Sequence, residues 1–205
     1  MTRLLTLDAA LAMNSTAIVD DGRLVAVRRD GGGRGGSLPE MVEALLAEAG
    51  HAIDLVAVTV GPGSFTGLRA ALALGHGFGL AAGVPVVGVT VGAAMAHLAP
   101  AGRALWIATD TKRGRIFLER DGAVASMALD DLPEAGRVAV AGDAAIAVAS
   151  RLAARGTDVQ LLQARGPDPL GIALAALRGD TRPAQPLYVD PPEAQPGRSG
   201  RPAPR

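Results

Sequence analysis

The chain reads as a duplicated α/β fold, with two βββαβα-type halves facing each other across a cleft. Three observations predict it. A buried strand ending in aspartate occurs twice, at Asp8 in RLLTLDA and at Asp110 in ALWIATD. Each is followed by a hairpin pattern closed by an Asp-Gly turn, Asp21-Gly22 and then Asp121-Gly122, at a nearly constant offset. Each half then alternates helix-length amphipathic segments with short apolar runs, the signature of helices packed on a mixed or parallel sheet. The competing reading is two unrelated α/β stretches that share Asp-Gly turns by chance.

Taken in order, RLLTLDA is the first strand, and STAIVDDGRLVAVRRD supplies two more joined by the Asp21-Gly22 turn. After the glycine-rich loop GGGRGG, Ser37-Leu-Pro-Glu40 offers an N-cap, a proline near the first turn and a capping-box glutamate. The helix it opens sets Leu38, Met41, Val42, Leu45, Leu46 and Ala49 along one stripe, with Glu40, Glu43 and Glu48 off it. Residues 54–60 form a buried strand, 66–82 a helix and VPVVGVT a further strand, and a short helix around 91–98 ends at Pro100. In the second half, a strand to Asp110 and a hairpin through Asp121-Gly122 precede RVAVAGD, a helix to about Arg155, a strand near 158–162 and a helix opened by Asp168-Pro169. The expected division is an N-terminal α/β lobe over 1–100, a smaller lobe over 101–189 and a disordered Pro/Gly/Arg tail over 190–205.

Bulk composition bounds the function. At 205 residues, 49% hydrophobic and 20% charged, the chain has the balance of a soluble globular protein with a real core. It has no cysteine, which removes disulfides, a thiolate nucleophile and thiolate metal sites. Twenty basic and twenty acidic residues cancel, and five aromatics are too few for a stacking platform, which argues against strong direct binding of nucleic acid. Residues 70–91 carry no charge, but Gly75, Gly77, Gly79, Gly83, Gly88, Pro85 and His76 mark a helix, turn and strand rather than a membrane span. The expected location is cytoplasmic, with no membrane contact.

The segment GPGSFTGLR, residues 61–69, stands between a buried strand and a helix, where a phosphate cradle would stand. The Walker spacing fails, because Thr66 and Gly67 occupy the positions of its Gly and Lys, and the dinucleotide pattern fails at Thr66. The alternative is a helix-initiating turn, Gly61, Pro62, Gly63, Ser64, Thr66 and Gly67, with Ser64 or Thr66 as cap. The helix behind it is apolar on both sides: Leu68, Ala71, Leu72, Gly75, Phe78 and Gly79 on one, Ala70, Leu74, Gly77 and Ala81 on much of the other. Such a helix is buried nearly all round, by its own neighbours or by another subunit. The small residues Ala71, Gly75 and Gly79 point to close approach of a partner helix, with Leu38, Met41 and Leu45 of the preceding helix beside them.

His51, His76 and His97 lie far apart and form no H-x-x-x-H or H-E-x-x-H pair, so no metal site is expected. Asp8 and Asp110 would face each other across the cleft, where sugar kinases and related ATPases keep their acids. Yet AALAM after Asp8 lacks the glycines and hydroxyls of a phosphate loop, and a role as strand-end caps is the alternative.

The strand-Asp start, SLPEMVEALLAEAG and above all VTVGPGSFTGLRAALALGHGFGLAAGVPVVGVT resemble the TsaB (YeaZ) family, over residues 2–120 and more weakly to about 190. The resemblance implies the duplicated actin-like ATPase/sugar-kinase fold with a shortened second lobe. It implies a role without catalysis of its own in making threonylcarbamoyladenosine next to the tRNA anticodon. The implied partners are a TsaD-type catalytic subunit in a heterodimer and a TsaE-type ATPase in a larger complex, with a homodimer when alone and tRNA met only through the complex. No cofactor is implied for the chain itself, with ATP or ADP at the assembled complex, and the family's dimer surface is the pair of helices named above. The sequence departs from the family at Asp8-Ala9-Ala10, where relatives carry D-T-S, and at Gly36-Ser37, where they carry H-S. Two other classes compete: an active small-molecule kinase or ATPase of the same fold, and a metallopeptidase, which would need ligands the sequence does not offer.

Overall fold

The structure is a computed structural model that describes residues 2–31 and 37–189. The loop at 32–36, with Gly36, and the tail from 190 lie outside the described residues.

Strand β1 (Arg3–Asp8) sits near the middle of the first sheet. It pairs antiparallel with β2 (Asn14–Asp20) and parallel with β4 (Leu55–Gly61), and β3 (Arg23–Asp30) and β5 (Val86–Thr90) extend the two sides. The second sheet repeats this plan around β6 (Ala104–Asp110): β7 (Ile116–Arg120) and β8 (Ala123–Met127) on the antiparallel side, β9 (Arg137–Ala141) and β10 (Asp158–Leu161) on the parallel side. The orders are β11-β5-β4-β1-β2-β3 and β10-β9-β6-β7-β8, where β11 is the two-residue strand Arg182–Pro183. The duplication is therefore real in topology. Both hairpin turns need two successive residues in the left-handed region, and Asp21-Gly22 and Asp121-Gly122 supply them, with φ of 43° and 80° in one and 50° and 75° in the other.

Helices α1 (Leu38–Ala49) and α2 (Phe65–Ala82) cover one face of the first sheet, over a core of Leu5, Leu7, Ile18, Leu38, Leu45, Val56, Val58 and Leu72. Ser37 does not cap α1 as its spacing predicts. Its hydroxyl instead donates to Asp30 at 2.7 Å and accepts from Asn14 at 3.2 Å, tying the helix start to the β2–β3 hairpin. The opposite face carries the short α3 (Val91–Met95) and α5 (Pro169–Arg178), with Leu4, Ala17, Val19 and Val89 meeting Ile172, Ala173 and Ala175. Asp168 caps α5 by accepting from Leu170 N–H at 3.1 Å, as Asp168-Pro169 predicts.

In the second lobe, α4 (Ala145–Ala154) packs on one face of its sheet, its Val148 and Leu152 meeting Trp106, Ala108, Val138 and Val140. One turn of 3₁₀ helix, Leu129–Asp131, stands where the first lobe has the twelve residues of α1. This lobe is the shortened one. The segment past 168 departs from the sequence division, because α5 and β11 pack on the first sheet rather than within the second lobe. The alanine-rich face of α5 lets it lie flat on the strands, and the chain returns to the lobe it started from.

Candidate functional site

Gly61 ends β4 with φ of 115°, and the Gly61-Pro62 peptide is cis. The following turn rests on the backbone of residues 9 and 10. A Cβ at Gly63 would lie 2.1 Å from the carbonyl oxygen of Ala10, and one at Gly67 would lie 2.0 Å from that of Ala9. No side chain fits at either place, because the obstacles are backbone atoms. Ser64 N–H, the kind of group a phosphate cradle would offer, donates to Ala10 O at 2.6 Å. Ser64 Oγ accepts from Gly67 N–H at 3.2 Å and is the helix cap, while Thr66 is exposed on the first turn. The turn's glycines thus serve an internal contact, and the chain's own carbonyl occupies the donor.

Helix α2 then presents Leu68, Ala71, Leu72, Gly75 and Gly79 inward. This corrects the sequence expectation. A Cβ at Gly75 would stand 2.6 Å from Val58 Cγ2, and one at Gly79 would stand 2.4 Å from Val86 Cγ2, so these glycines admit the protein's own sheet and not a partner helix. Leu38 and Leu45 are equally fully buried in the core beneath α1, and Met41 and Phe78 are half-buried at its margin. The outward face is made of Phe65, Arg69, Ala73, Gly77 and Leu80, of which the spacing names Gly77 alone, on the side opposite the Gly75–Gly79 ridge. Phe65 is 58% exposed and Leu80 88% exposed. The Arg69 guanidinium stacks 3.8 Å over the Phe65 ring and donates to Tyr188 Oη at 3.0 Å. His76 Nε2 meets Ala184 O at 2.8 Å, so the segment after β11 is strapped along one flank of this face. The signal for the outer face was in the helical wheel, which separates the two sides. Both sides are apolar, so the wheel does not orient them.

The two strand-end acids occupy different environments. Asp8 is buried, accepting from Thr59 Oγ1 and from Ala10 N–H at 3.0 Å. Loss of hydration raises its pKa to about 6 in spite of those bonds. Asp110 is half-exposed and accepts from Lys112 Nζ at 2.9 Å and Lys112 N–H at 2.7 Å, which hold its carboxyl below the usual range. Lys112 Nζ also lies 3.6 Å from Asp143, whose carboxylate accepts Asp110 N–H at 2.8 Å. Both acids are engaged by neighbours on their own lobes.

Between the lobes the space is filled. Ala10 follows Asp8 into a cluster with Leu68, Val91 and Met95 of the first lobe and Ile107 and Ala141 of the second, with Leu11, Leu98, Leu105, Leu162 and Ala164 packed around it. The Leu11 side chain comes close to Gly166, where a Cβ would lie 3.3 Å from it. Ala10 and Leu11 thus form an apolar plug at the place where the two sheets approach, while Ala12 and Met13 are exposed. His51 is exposed, and His76 and His97 each meet a backbone carbonyl on separate elements. Among the described residues no three His, Cys, Asp or Glu side chains are grouped to hold a metal ion. No helix of the described residues is long and apolar enough to cross a membrane.

Two sheets of repeated order, joined at an apolar seam, define a protein of the duplicated actin-like ATPase/sugar-kinase fold. The model of the TsaD family, tRNA N6-adenosine threonylcarbamoyltransferase, matches residues 36–163, and the chain belongs to that family. Uncharacterized proteins of Mycobacterium bovis and Mycobacterium tuberculosis are 31% identical over 176 residues, covering 77% of this chain and 75% of theirs. Among solved structures, YeaZ from Pseudomonas aeruginosa superposes with a TM-score of 0.72 at 23% identity, covering 92% of this chain and all of that one. A second Pseudomonas aeruginosa structure, described as similar to peptidase YEAZ, gives 0.74 at 23% identity and covers 93% of this chain. That likeness shows the fold.

Proposed function

We propose that this chain is the non-catalytic subunit required for threonylcarbamoylation of the adenosine next to the tRNA anticodon, and that it binds and activates a TsaD-type catalytic subunit. The observation that carries this reading is the filled seam. Ala10, Leu11, Leu68, Met95 and Ile107 pack together at the seam directly after Asp8, where AALAM stands in place of a phosphate loop. Opening that seam exposes several apolar side chains, each worth about 1.5–3 kcal/mol of burial. Family membership supplies the reaction class. The resemblance carried by GPGSFTGLR and its helix supplies the subunit role.

The partner docks on the outer face of α2, where Phe65 and Leu80 are exposed around Gly77, with the exposed edge of α1 alongside. Aromatic and arginine side chains on an otherwise small-residue surface are the composition of an interface centre. The free protein pairs with itself through the same face. A TsaE-type ATPase joins the larger assembly, ATP or ADP binds only there, tRNA is met through the complex, and the protein works in the cytoplasm.

The test is to purify the protein alone and with a TsaD-type subunit, then to measure mass, ATP turnover and tRNA modification. The expected result is a stable pair, with modification only when both subunits are present. ATP turnover of roughly 1 s⁻¹ or more by the protein alone would make it an enzyme in its own right and overturn the reading. A Gly77→Leu variant, which fills the outer face without touching the core, is expected to keep its fold and to weaken pairing by several kcal/mol.

A further inference from the structure

Glu119 is the penultimate residue of β7 in the second lobe, opposite Ile107 of β6 and Val124 of β8. It is 5% exposed, and its side chain leaves the face of the sheet opposite the α4 core. It ends on the first lobe. One carboxylate oxygen accepts from Thr90 Oγ1, and the other accepts from Gly92 N–H at 2.7 Å. Thr90 Oγ1 in turn accepts from Ala93 N–H at 3.0 Å, so a single network joins β7 to the junction of β5 and α3. The junction is shaped for this contact: a Cβ at Gly92 would lie 2.2 Å from Glu119 Cδ. Burial pushes the Glu119 carboxyl above its usual range in spite of the bonds from Thr90 and Gly92, and Arg182, held against Gly88 by the β11–β5 pairing, offsets a part of that. No other buried carboxylate among the described residues crosses from one lobe to the other.

The remaining contact between the lobes is largely the apolar seam, which is non-directional and tolerates sliding. A carboxylate with two directed bonds does not. We propose that Glu119 is a latch that sets the angle between the two lobes, holding the seam closed and the α3 end of the first lobe in register with the second sheet. Burial without bonds would make this side chain costly, so its retention depends on both donors being in place. The chain crosses between lobes twice, at 99–103 and at 162–168, and an unlatched pair would swing about these two connections. Gly102, in the first crossing, has φ of 73°.

The experiment uses the full chain. Because it has no cysteine, Ala47→Cys on α1 and Ser150→Cys on α4 give two specific, exposed spin-label sites, one per lobe. Labelled protein is diluted in unlabelled protein so that only the intrachain distance is read. In Glu119→Ala the distance distribution is expected to broaden, and Gly92 and Ala93 amides to exchange at least about tenfold faster, the loss of a charge-assisted bond. Amides of β1, β4, β6 and β9 are expected to keep their protection. Glu119→Gln, nearly the same shape but with an N–H₂ facing one of the two donors, is expected to show the same pattern to a smaller degree. An unchanged distribution in the folded variants overturns the latch. So does uniform loss of protection across both sheets in both variants, which would make Glu119 an ordinary stability residue.

Discussion

Alanine at Gly75 and alanine at Gly77 make the same chemical change two residues apart in one helix, and opposite outcomes are expected. In a helix interior each replacement gains about 1 kcal/mol of intrinsic propensity. At Gly77 nothing lies within 4 Å of the added Cβ, so the gain stands and the variant is stabilised by about 1 kcal/mol. At Gly75 the new Cβ lies 2.6 Å from Val58 Cγ2 and 3.3 Å from Leu7 Cδ1, inside a core whose strands cannot shift freely. Overpacking of this kind costs about 1–3 kcal/mol, which cancels or reverses the propensity gain. The two variants should therefore differ by about 1–3 kcal/mol, or roughly 2–12 °C in Tm for a chain of this size. Thermal melts followed by circular dichroism, with urea unfolding as a check, measure the gap. Equal Tm values, or a more stable Gly75→Ala, would refute the inward placement of Gly75 and return that glycine to the outer face.

Asp8→Asn keeps an oxygen for Thr59 and Ala10 but removes a buried charge. The folded pKa of Asp8, about 6 against 3.8 in solvent, means its ionised form is disfavoured by folding, so this group lowers stability as pH rises from about 4 to 6. The asparagine variant should gain up to about 3 kcal/mol over the parent at pH 7.5 and little at pH 4; a pH-independent difference in urea unfolding would contradict this. Gly67→Ala places a Cβ 2.0 Å from the Ala9 carbonyl, which no rotamer change relieves, and should cost about 3 kcal/mol or more. A chemical-denaturation midpoint equal to the parent's would refute that docking of the turn. Lys112→Ala should move the Asp110 pKa upward, since Lys112 is the main cause of its depression. The stabilising share of that pair, present above the ordinary carboxylate range and lost as pH falls through the folded pKa, should disappear with it. An NMR titration of Asp110 that shows no change would exclude the pair in solution.

Much of the architecture is legible in the residues. Periodicity and punctuation locate α1 to its ends and α2 to within a residue. The paired Asp-Gly turns identify the duplication, because two left-handed residues in succession are a local requirement that few dipeptides meet. The cap of α5 is similarly local. The family likeness rests above all on VTVGPGSFTGLRAALALGHGFGLAAGVPVVGVT, which lies within the matched residues 36–163. Less of the candidate site is legible. The spacing names α2 and shows that both its sides are apolar, but it assigns the glycine ridge to a partner when the ridge lies on the sheet.

What the sequence determined by itself is therefore what neighbouring residues decide among themselves: where elements start, which positions share a side and which dipeptides turn. The tertiary structure decided which side of α2 meets Val58 and Leu7, that Gly63 and Gly67 exist to approach the carbonyls of residues 9 and 10, and that Ser37 reaches Asp30 instead of capping its helix. It also decided that α5 returns to the first sheet and that Glu119 ends on the opposite lobe. The physical reason is common to all of these. Propensity and periodicity act within a turn or two of chain, whereas each of these choices is a contact with residues remote in sequence or a competition between bonding partners. Their outcome depends on which backbone or side-chain atoms the closed fold brings within a few ångströms.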